Sequence, residues 1–243
     1  MHFISELFTA LIYQPLYNGL ILLYDYIPDL GVGIIILTIL IRILLLPVAK
    51  KSIESQKKMQ LIQPEIKKLQ QQYKDDKQKQ GMEIMALYKK NNIHPASGCL
   101  PLIVQLVFLI ALYQVFIAGI NSNGDTSLLY PFIKNPGKLN TLAFGFLDLT
   151  KGNAMLAAIA AGLQYWQGKM MMPKEKTEPE KQEKPGEEPD FATMMQKQMI
   201  FMGPFLTFII GFKFPAGLPL YWITTTIFMI AQQYYLMNKK ENS

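Results

Sequence analysis

The feature that most constrains this 243-residue chain is the alternation of long apolar runs with short polar segments. Hydrophobic residues make up 50% of the chain and charged residues only 17%, and the charges fall mostly outside the apolar runs. A helix needs about 20 mostly apolar residues to cross the hydrocarbon core of a bilayer, which is roughly 30 Å thick. The pattern therefore predicts an all-α polytopic membrane protein with five transmembrane helices.

The polar segments between the apolar runs divide the chain further. In chain order we predict an N-terminal interfacial helix (1–29), the first span (30–48), a cytoplasmic helical hairpin (49–96), the second span (97–118), an extracytoplasmic segment (119–151), the third span (152–168), a flexible cytoplasmic linker (169–196), the fourth span (197–211), the fifth span (217–236) and a short cytoplasmic tail (237–243).

The N-terminal segment is apolar, but Pro15, Asn18 and Gly19 interrupt it. Its tyrosines suit the boundary between lipid and water. We therefore expect a helix that lies in the membrane interface, and the alternative is a sixth span. A cleaved signal peptide is not expected, because a basic start and a small-residue cleavage site are both missing.

The lysines orient the predicted spans. Nineteen of them fall in residues 49–96, residues 169–197 and the tail, whereas four fall in the segments of the opposite side. Basic residues collect on the cytoplasmic side of membrane proteins. The sequence thus predicts a multi-pass membrane protein with its N-terminus outside and its C-terminus in the cytoplasm. Because topology accounts for the basic charge, we do not expect sequence-specific nucleic-acid binding.

The hairpin is predicted from helical periodicity. Ile62, Ile66, Leu69 and Tyr73 recur at spacings of one helical turn, and a helical pattern resumes at residue 82 after the polar stretch 74–81. A disordered basic linker is the alternative. The later segment 173–190 consists almost entirely of Pro, Glu and Lys, which favours a flexible linker.

Residues suited to catalysis or to metal binding are scarce. The chain has two histidines and one cysteine, and it lacks the zinc-protease, nucleophile-elbow and phosphate-loop motifs. We expect neither an enzyme nor a cofactor.

Arg42 is the exception to the apolar character of the first span. A charge near the middle of a membrane helix costs about 2.5–3.5 kcal/mol on insertion scales, and arginine cannot lose its proton. The predicted spans contain no acidic residue that could pair with it. Arg42 either reaches the lipid headgroups or lies in a water-filled groove that receives an acidic or polar guest. Thr38 lies one turn before it on the same helical face.

Four stretches of the chain resemble the YidC/Oxa/Alb family of membrane protein insertases. They follow the order of the family and extend over most of the chain: "LTILIRILLLPV" (37–48), "NNIHPASGCLPLIVQLVFLIALYQVF" (91–116), "FGFLDLTKGN" (144–153) and "FPAGLPLYWITTTIFMIAQQYYL" (214–236).

The resemblance implies a short bacterial form, without a large extracytoplasmic domain. Its five helices would surround a hydrophilic groove that is open to the cytoplasm, and Arg42, Thr38, Gln105 and Trp222 would bind the substrate there. Short or acidic tails of nascent membrane proteins would enter the groove without nucleotide hydrolysis, while their apolar segments move into lipid. The Sec translocon and the ribosome are the further partners that the family suggests.

Two other functions fit the residues alone. A small-anion transporter or channel would use Arg42 as its selectivity charge, but it usually carries an internal repeat, which we do not find. An assembly factor that only packs against other membrane proteins would not require Arg42. Taken singly, the glutamines and threonines within the predicted spans could instead form hydrogen bonds that hold neighbouring helices together.

Overall fold

The structure, a computed structural model, describes residues 2–93, 100–121, 128–170 and 191–239. This part of the chain is mostly helical, which confirms the predicted fold class at that level. Its elements are α1 (His2–Phe8), a π-helical turn (Thr9–Tyr13), α2 (Gln14–Tyr26), α3 (Leu30–Leu44), α4 (Leu46–Gln72), α5 (Lys77–Lys90), α6 (Leu100–Asn121), β1 (Leu142–Ala143), β2 (Leu147–Asp148), α7 (Ala154–Met170), α8 (Phe191–Lys213) and α9 (Gly217–Lys239).

The first predicted span is shorter than its apolar run. Helix α3 ends at Leu44 rather than at residue 48, and α4 continues at an angle of 66° to it. Pro47 explains the break, because a proline has no N–H to donate and its ring collides with the carbonyl group four residues earlier. The run from 30 to 49 therefore contains a 15-residue helix and the beginning of the next helix.

Length and composition allow some of the described helices to cross a bilayer. The helical segment Ser5–Tyr26 is long and apolar enough, and α3 with α4 qualifies if the bent pair is one span. The stretches Ile103–Val115 and Ile200–Lys213 are shorter apolar helices. The N-terminal segment could thus form the sixth span, and its interfacial position stays a prediction.

Helices α4 and α5 pack against each other where the sequence predicts a helical hairpin. Ile62, Ile66 and Leu87 are buried between them. The polar break is shorter than predicted, since α5 begins at Lys77 rather than at residue 82. The Asp76 side chain caps this helix by accepting a hydrogen bond from the backbone N–H of Lys79 at 2.9 Å.

The predicted linker is helical at both of its ends. Helix α7 continues to Met170 and α8 begins at Phe191, so the helices extend into both sides of 169–196. Residues 171–190 of the linker lie outside the described residues, as do residues 94–99, 122–127 and 240–243.

The predicted extracytoplasmic segment (119–151), which we call the outer segment, contains a β-hairpin that the sequence does not predict. Strands β1 and β2 pair antiparallel, with Ala143 opposite Leu147. Phe144 and Gly145 both have positive φ angles, of 54° and 77°, and the N–H of Phe146 donates to the carbonyl of Ala143 at 3.2 Å. Two successive positive φ angles are the mark of a type I′ turn, which suits the twist of a tight hairpin.

Asp29 attaches this hairpin to the beginning of α3. One of its carboxylate oxygens caps the helix by accepting from the N–H of Val32 at 3.0 Å. The other accepts from the N–H of Phe144 at 2.6 Å. At the far end of the outer segment, the carbonyl of Lys151 accepts from the N–H of Ala216, just before α9, at 2.9 Å.

Asn18, which interrupts the apolar N-terminal segment, attaches α2 to the same outer segment. Its side chain is buried, donates to the carbonyl of Leu128 at 2.8 Å and accepts from the N–H of Tyr130 at 2.7 Å. The main hydrophobic core lies beside these contacts and joins side chains of α2, α3, α6, α9 and the outer segment.

We expect Gly152→Ala to destabilise the fold by about 1–3 kcal/mol, the usual range for overpacking. A Cβ atom at this position would collide with the backbone carbonyl of Phe212, near the C-terminal end of α8. Thermal unfolding of the detergent-solubilised protein measures the effect. Gly162→Ala is the matched control, because among the described residues nothing lies within 4 Å of the added carbon. It should stabilise α7 by about 0.5–1 kcal/mol, and equal effects of the two variants would contradict the packing argument.

Candidate functional site

Arg42 lies in the last turn of α3, two residues before that helix ends. A cation is favoured at this place, because the carbonyl groups at the C-terminal end of a helix carry partial negative charge. The side chain is half-buried. The break before Pro47 therefore lowers the free-energy cost of a charge that sits inside a predicted span.

Two other helices supply hydrogen-bond acceptors to the guanidinium group. Its Nε donates to Thr225 Oγ1 of α9 at 2.5 Å, and its Nη2 donates to Gln105 Oε1 of α6. Tyr221, one turn before Thr225, forms a further side-chain contact with Arg42. Tyr221 and Thr225 are 4% and 2% exposed, so the guanidinium reaches into the interior of the protein.

All of these partners are neutral. An ion pair joins Asp148 to Lys151 in the outer segment, far along the chain from Arg42. The positive charge of Arg42 is thus oriented by hydrogen bonds and is not compensated by a carboxylate among the described residues.

Two adjoining cavities meet at Arg42. The first, which we call the arginine pocket, has a volume of about 10 Å³, room for about one water molecule, and is lined by Thr38, Ile41, Arg42, Leu45, Val104, Gln105, Phe108 and Tyr221. The second, which we call the inner cavity, has a volume of about 150 Å³ and is lined by Arg42, Leu45, Val48, Ala49, Ser52, Ile53, Gln56, Val104, Gln167, Met229, Gln232 and Gln233.

The four predicted site residues are not all in one place. Arg42 and Gln105 are hydrogen-bonded to each other. Thr38 is buried and lines the arginine pocket, but its hydroxyl donates to the carbonyl of Ile34 in its own helix at 2.6 Å. Trp222 is half-buried, packs against the main core and lines neither cavity. The role of these residues in substrate binding stays a prediction.

The sequence prediction omits Tyr221 and Thr225 from the site. A signal for them exists, because residues four apart lie on one face of a helix. Gln232 follows Thr225 by seven residues, which places it two turns further along that same face. The face of α9 that meets Arg42 was therefore readable from spacing, although adjacent threonines made the choice of residue ambiguous.

The sequence model of the 60Kd inner membrane protein family matches residues 22–243. The chain belongs to this family, which is that of the YidC/Oxa/Alb insertases. The resemblance inferred from the four sequence stretches is thereby confirmed. The description of the family refers to an inner membrane, which agrees with the predicted location in a bacterial membrane.

Two relatives of the chain carry the name membrane protein insertase YidC. The one from Fusobacterium nucleatum is 31% identical over 214 residues, which cover 88% of this chain and 89% of the relative. The one from Rickettsia africae is 32% identical over 227 residues, which cover 93% of this chain but only 38% of the relative. Family members are thus named as insertases rather than as enzymes, in agreement with the prediction that this chain is not an enzyme.

The fold is similar to that of a solved insertase. An active YidC insertase crystal structure with the first transmembrane domain resolved matches with a TM-score of 0.56 at 22% identity. The match covers 92% of this chain and 47% of the solved chain. At this identity the likeness supports the insertase fold of the described helices.

We expect Thr225→Val to lower the stability of the protein by about 1–3 kcal/mol, because it leaves the Nε of a half-buried guanidinium without its acceptor. Thermal unfolding in detergent measures this loss. Thr224→Val is the matched control, since the Thr224 hydroxyl donates to the Leu220 carbonyl of its own helix. A loss as large in Thr224→Val as in Thr225→Val would show that the bond to Arg42 contributes little.

Proposed function

We propose that this chain is a membrane protein insertase and chaperone. It moves short polar tails of client membrane proteins through a hydrophilic groove, formed by the arginine pocket and the inner cavity, and releases their apolar segments into the bilayer. The observation that carries this proposal is the oriented charge of Arg42, which has only neutral partners among the described residues.

An acidic residue in a client tail is the natural partner for this charge. Two opposite charges 4 Å apart attract by about 1 kcal/mol in bulk water and by about 4 kcal/mol at an effective dielectric constant of 20. A guanidinium also donates to a carboxylate through short, charge-assisted hydrogen bonds. Both effects supply a reversible attraction that needs no nucleotide, so we include nucleotide independence in the proposal.

The cavities supply a path toward Arg42. They share Arg42, Leu45 and Val104, and the inner cavity extends to the first turns of α4. A tail that enters beside α4 on the predicted cytoplasmic side can reach the guanidinium without crossing the apolar core.

Lipid lies within reach of the same place. Leu40 and Leu44, two residues to either side of Arg42, are 53% and 78% exposed. In a bilayer such side chains face acyl chains, so an apolar client segment can leave the groove sideways while its tail stays near the arginine.

The orientation and the partners complete the proposal. The N-terminus lies outside and the C-terminus in the cytoplasm of a bacterial cell, as the lysine distribution predicts. The α4–α5 pair then stands on the cytoplasmic side, where it could meet the Sec translocon or a ribosome that delivers a client.

We expect Arg42→Ala to reduce insertion of clients with acidic N-terminal tails by about tenfold or more, because hydrogen bonds to charged groups contribute about 1.5–3 kcal/mol. Arg42→Lys should retain much of the activity, since the charge remains. Protease protection of the client tail in reconstituted vesicles measures insertion. Clients with neutral tails are the control, and full insertion of acidic tails by Arg42→Ala would refute the role of the charge.

We expect a cysteine at position 105 to react with a membrane-impermeant thiol reagent added from the cytoplasmic side, because the groove is proposed to be open to water there. The native Cys99 is first replaced by serine. A cysteine at position 112 of the same helix is the control, since Leu112 is only 7% exposed and lies in the core. Protection of position 105 as complete as that of position 112 would favour tight helix packing over a groove.

A further inference from the structure

Uncharged amides dominate the polar part of the inner cavity. Its lining includes four glutamines from three different helices, and its one charged residue, Arg42, lies where the cavity meets the arginine pocket. The glutamines are Gln56 of α4, Gln167 of α7, and Gln232 and Gln233 of α9. This concentration has no counterpart in the arginine pocket, where Gln105 is the one amide side chain.

Two of these amides have hydrogen-bonding capacity to spare. Gln232 is only 9% exposed, and its Nε2 has no hydrogen-bond partner among the described residues. Gln56 donates from Nε2 to Ser52 Oγ at 3.3 Å, whereas its buried Oε1 likewise lacks a partner within the described part of the chain. Buried polar atoms in folded proteins are nearly always satisfied, so these two atoms indicate a guest that satisfies them.

The hydrogen-bonding chemistry of Gln56 and Gln232 indicates which kind of ligand the inner cavity binds. A carboxamide is a donor and an acceptor side by side without a net charge, and the same is true of the peptide group. The spare donor of Gln232 matches a main-chain carbonyl, and the spare acceptor of Gln56 matches a main-chain N–H. A carboxylate or a phosphate would be attracted to Arg42 instead, because the inner cavity offers it no other cation among its lining residues.

We propose that the inner cavity is a binding site for the main-chain peptide groups of an extended polypeptide tail, with Gln56 and Gln232 as its ligands. This proposal rests on the proposed insertase function, and it adds which chemical groups of the client tail the inner cavity binds. Each peptide group of an extended tail arrives with an N–H and a carbonyl to satisfy, whatever its side chain. The inner cavity therefore accepts tails regardless of sequence, and Arg42 favours the acidic ones among them.

The first test compares client tails in vesicles of phosphatidylethanolamine and phosphatidylglycerol that contain the full chain. The tails consist of Gly/Ser, Gly/Asn or Pro/Ser repeats and carry no charge. The double variant Gln56→Leu/Gln232→Leu should insert the Gly/Ser and Gly/Asn clients about fivefold less well, and both to the same extent. Pro/Ser tails lack many of the N–H donors, so their insertion should fall by less than about twofold.

Gln71→Leu is the matched control, because Gln71 is exposed on α4 and does not line the cavity. It should leave all three clients unaffected. A loss in the double variant that differs between Gly/Ser and Gly/Asn tails, or that is as large for Pro/Ser tails, would overturn main-chain recognition.

The second test keeps the glutamines intact and does not depend on activity. A photoreactive residue at Ile53, which lines the inner cavity, or at Phe108, which lines the arginine pocket, is used to capture a client tail. We expect capture of Gly/Ser and Gly/Asn tails from both positions with similar yield. Capture from 108 without capture from 53 would overturn the amide site and leave the insertase function standing, whereas failure at both positions would overturn both proposals.

Discussion

The structure depends on how one positive charge is held inside an apolar bundle without being neutralised. Arg42 lies at the C-terminal end of α3, where the helix dipole favours a cation. Gln105 and Thr225 fix its direction from two other helices. A carboxylate in their place would hold the guanidinium more strongly but would use its charge within the protein. Neutral acceptors orient the side chain and leave its electrostatic attraction for a guest.

The uncompensated charge of Arg42 suits a member of an insertase family. An insertase must attract a polar segment that no bilayer would accept, and it must also let that segment go. A permanent ion pair at the site would not serve an insertase, because a carboxylate of the protein would already compensate the charge of Arg42. In the mechanism we propose, the two cavities at Arg42 combine a charge that prefers acids with amides that match any peptide backbone. The preference for acidic tails then comes from Arg42, and the acceptance of tails of any sequence comes from Gln56 and Gln232.

Sequence reasoning located the central residue for a physical reason. An arginine in an apolar run is so unfavourable that it indicates a function, whereas Gln105 is predicted from the resemblance to the family. Pro47 is a sequence signal for the bend after α3. Hydropathy does not show this bend, because the apolar run continues across it. The β-hairpin could not be predicted, because two-residue strands have no periodicity and Asp29, which holds the turn, lies more than 100 residues away. Tyr221 remained unnoticed because its importance depends on which helices meet.

The attachments of the outer segment determine which part of the bundle can move. Asp29 fastens it to α3, Asn18 fastens it to α2, and Lys151 fastens it to the start of α9. Because these hydrogen bonds hold three helices to one segment, movement of the helices relative to one another is most restricted beside that segment. We therefore expect any widening of the bundle around Arg42 to be a rotation of the helices about their contacts with the outer segment. In the predicted orientation, these hydrogen bonds favour a barrier on the outer side of the membrane and an entrance on the cytoplasmic side.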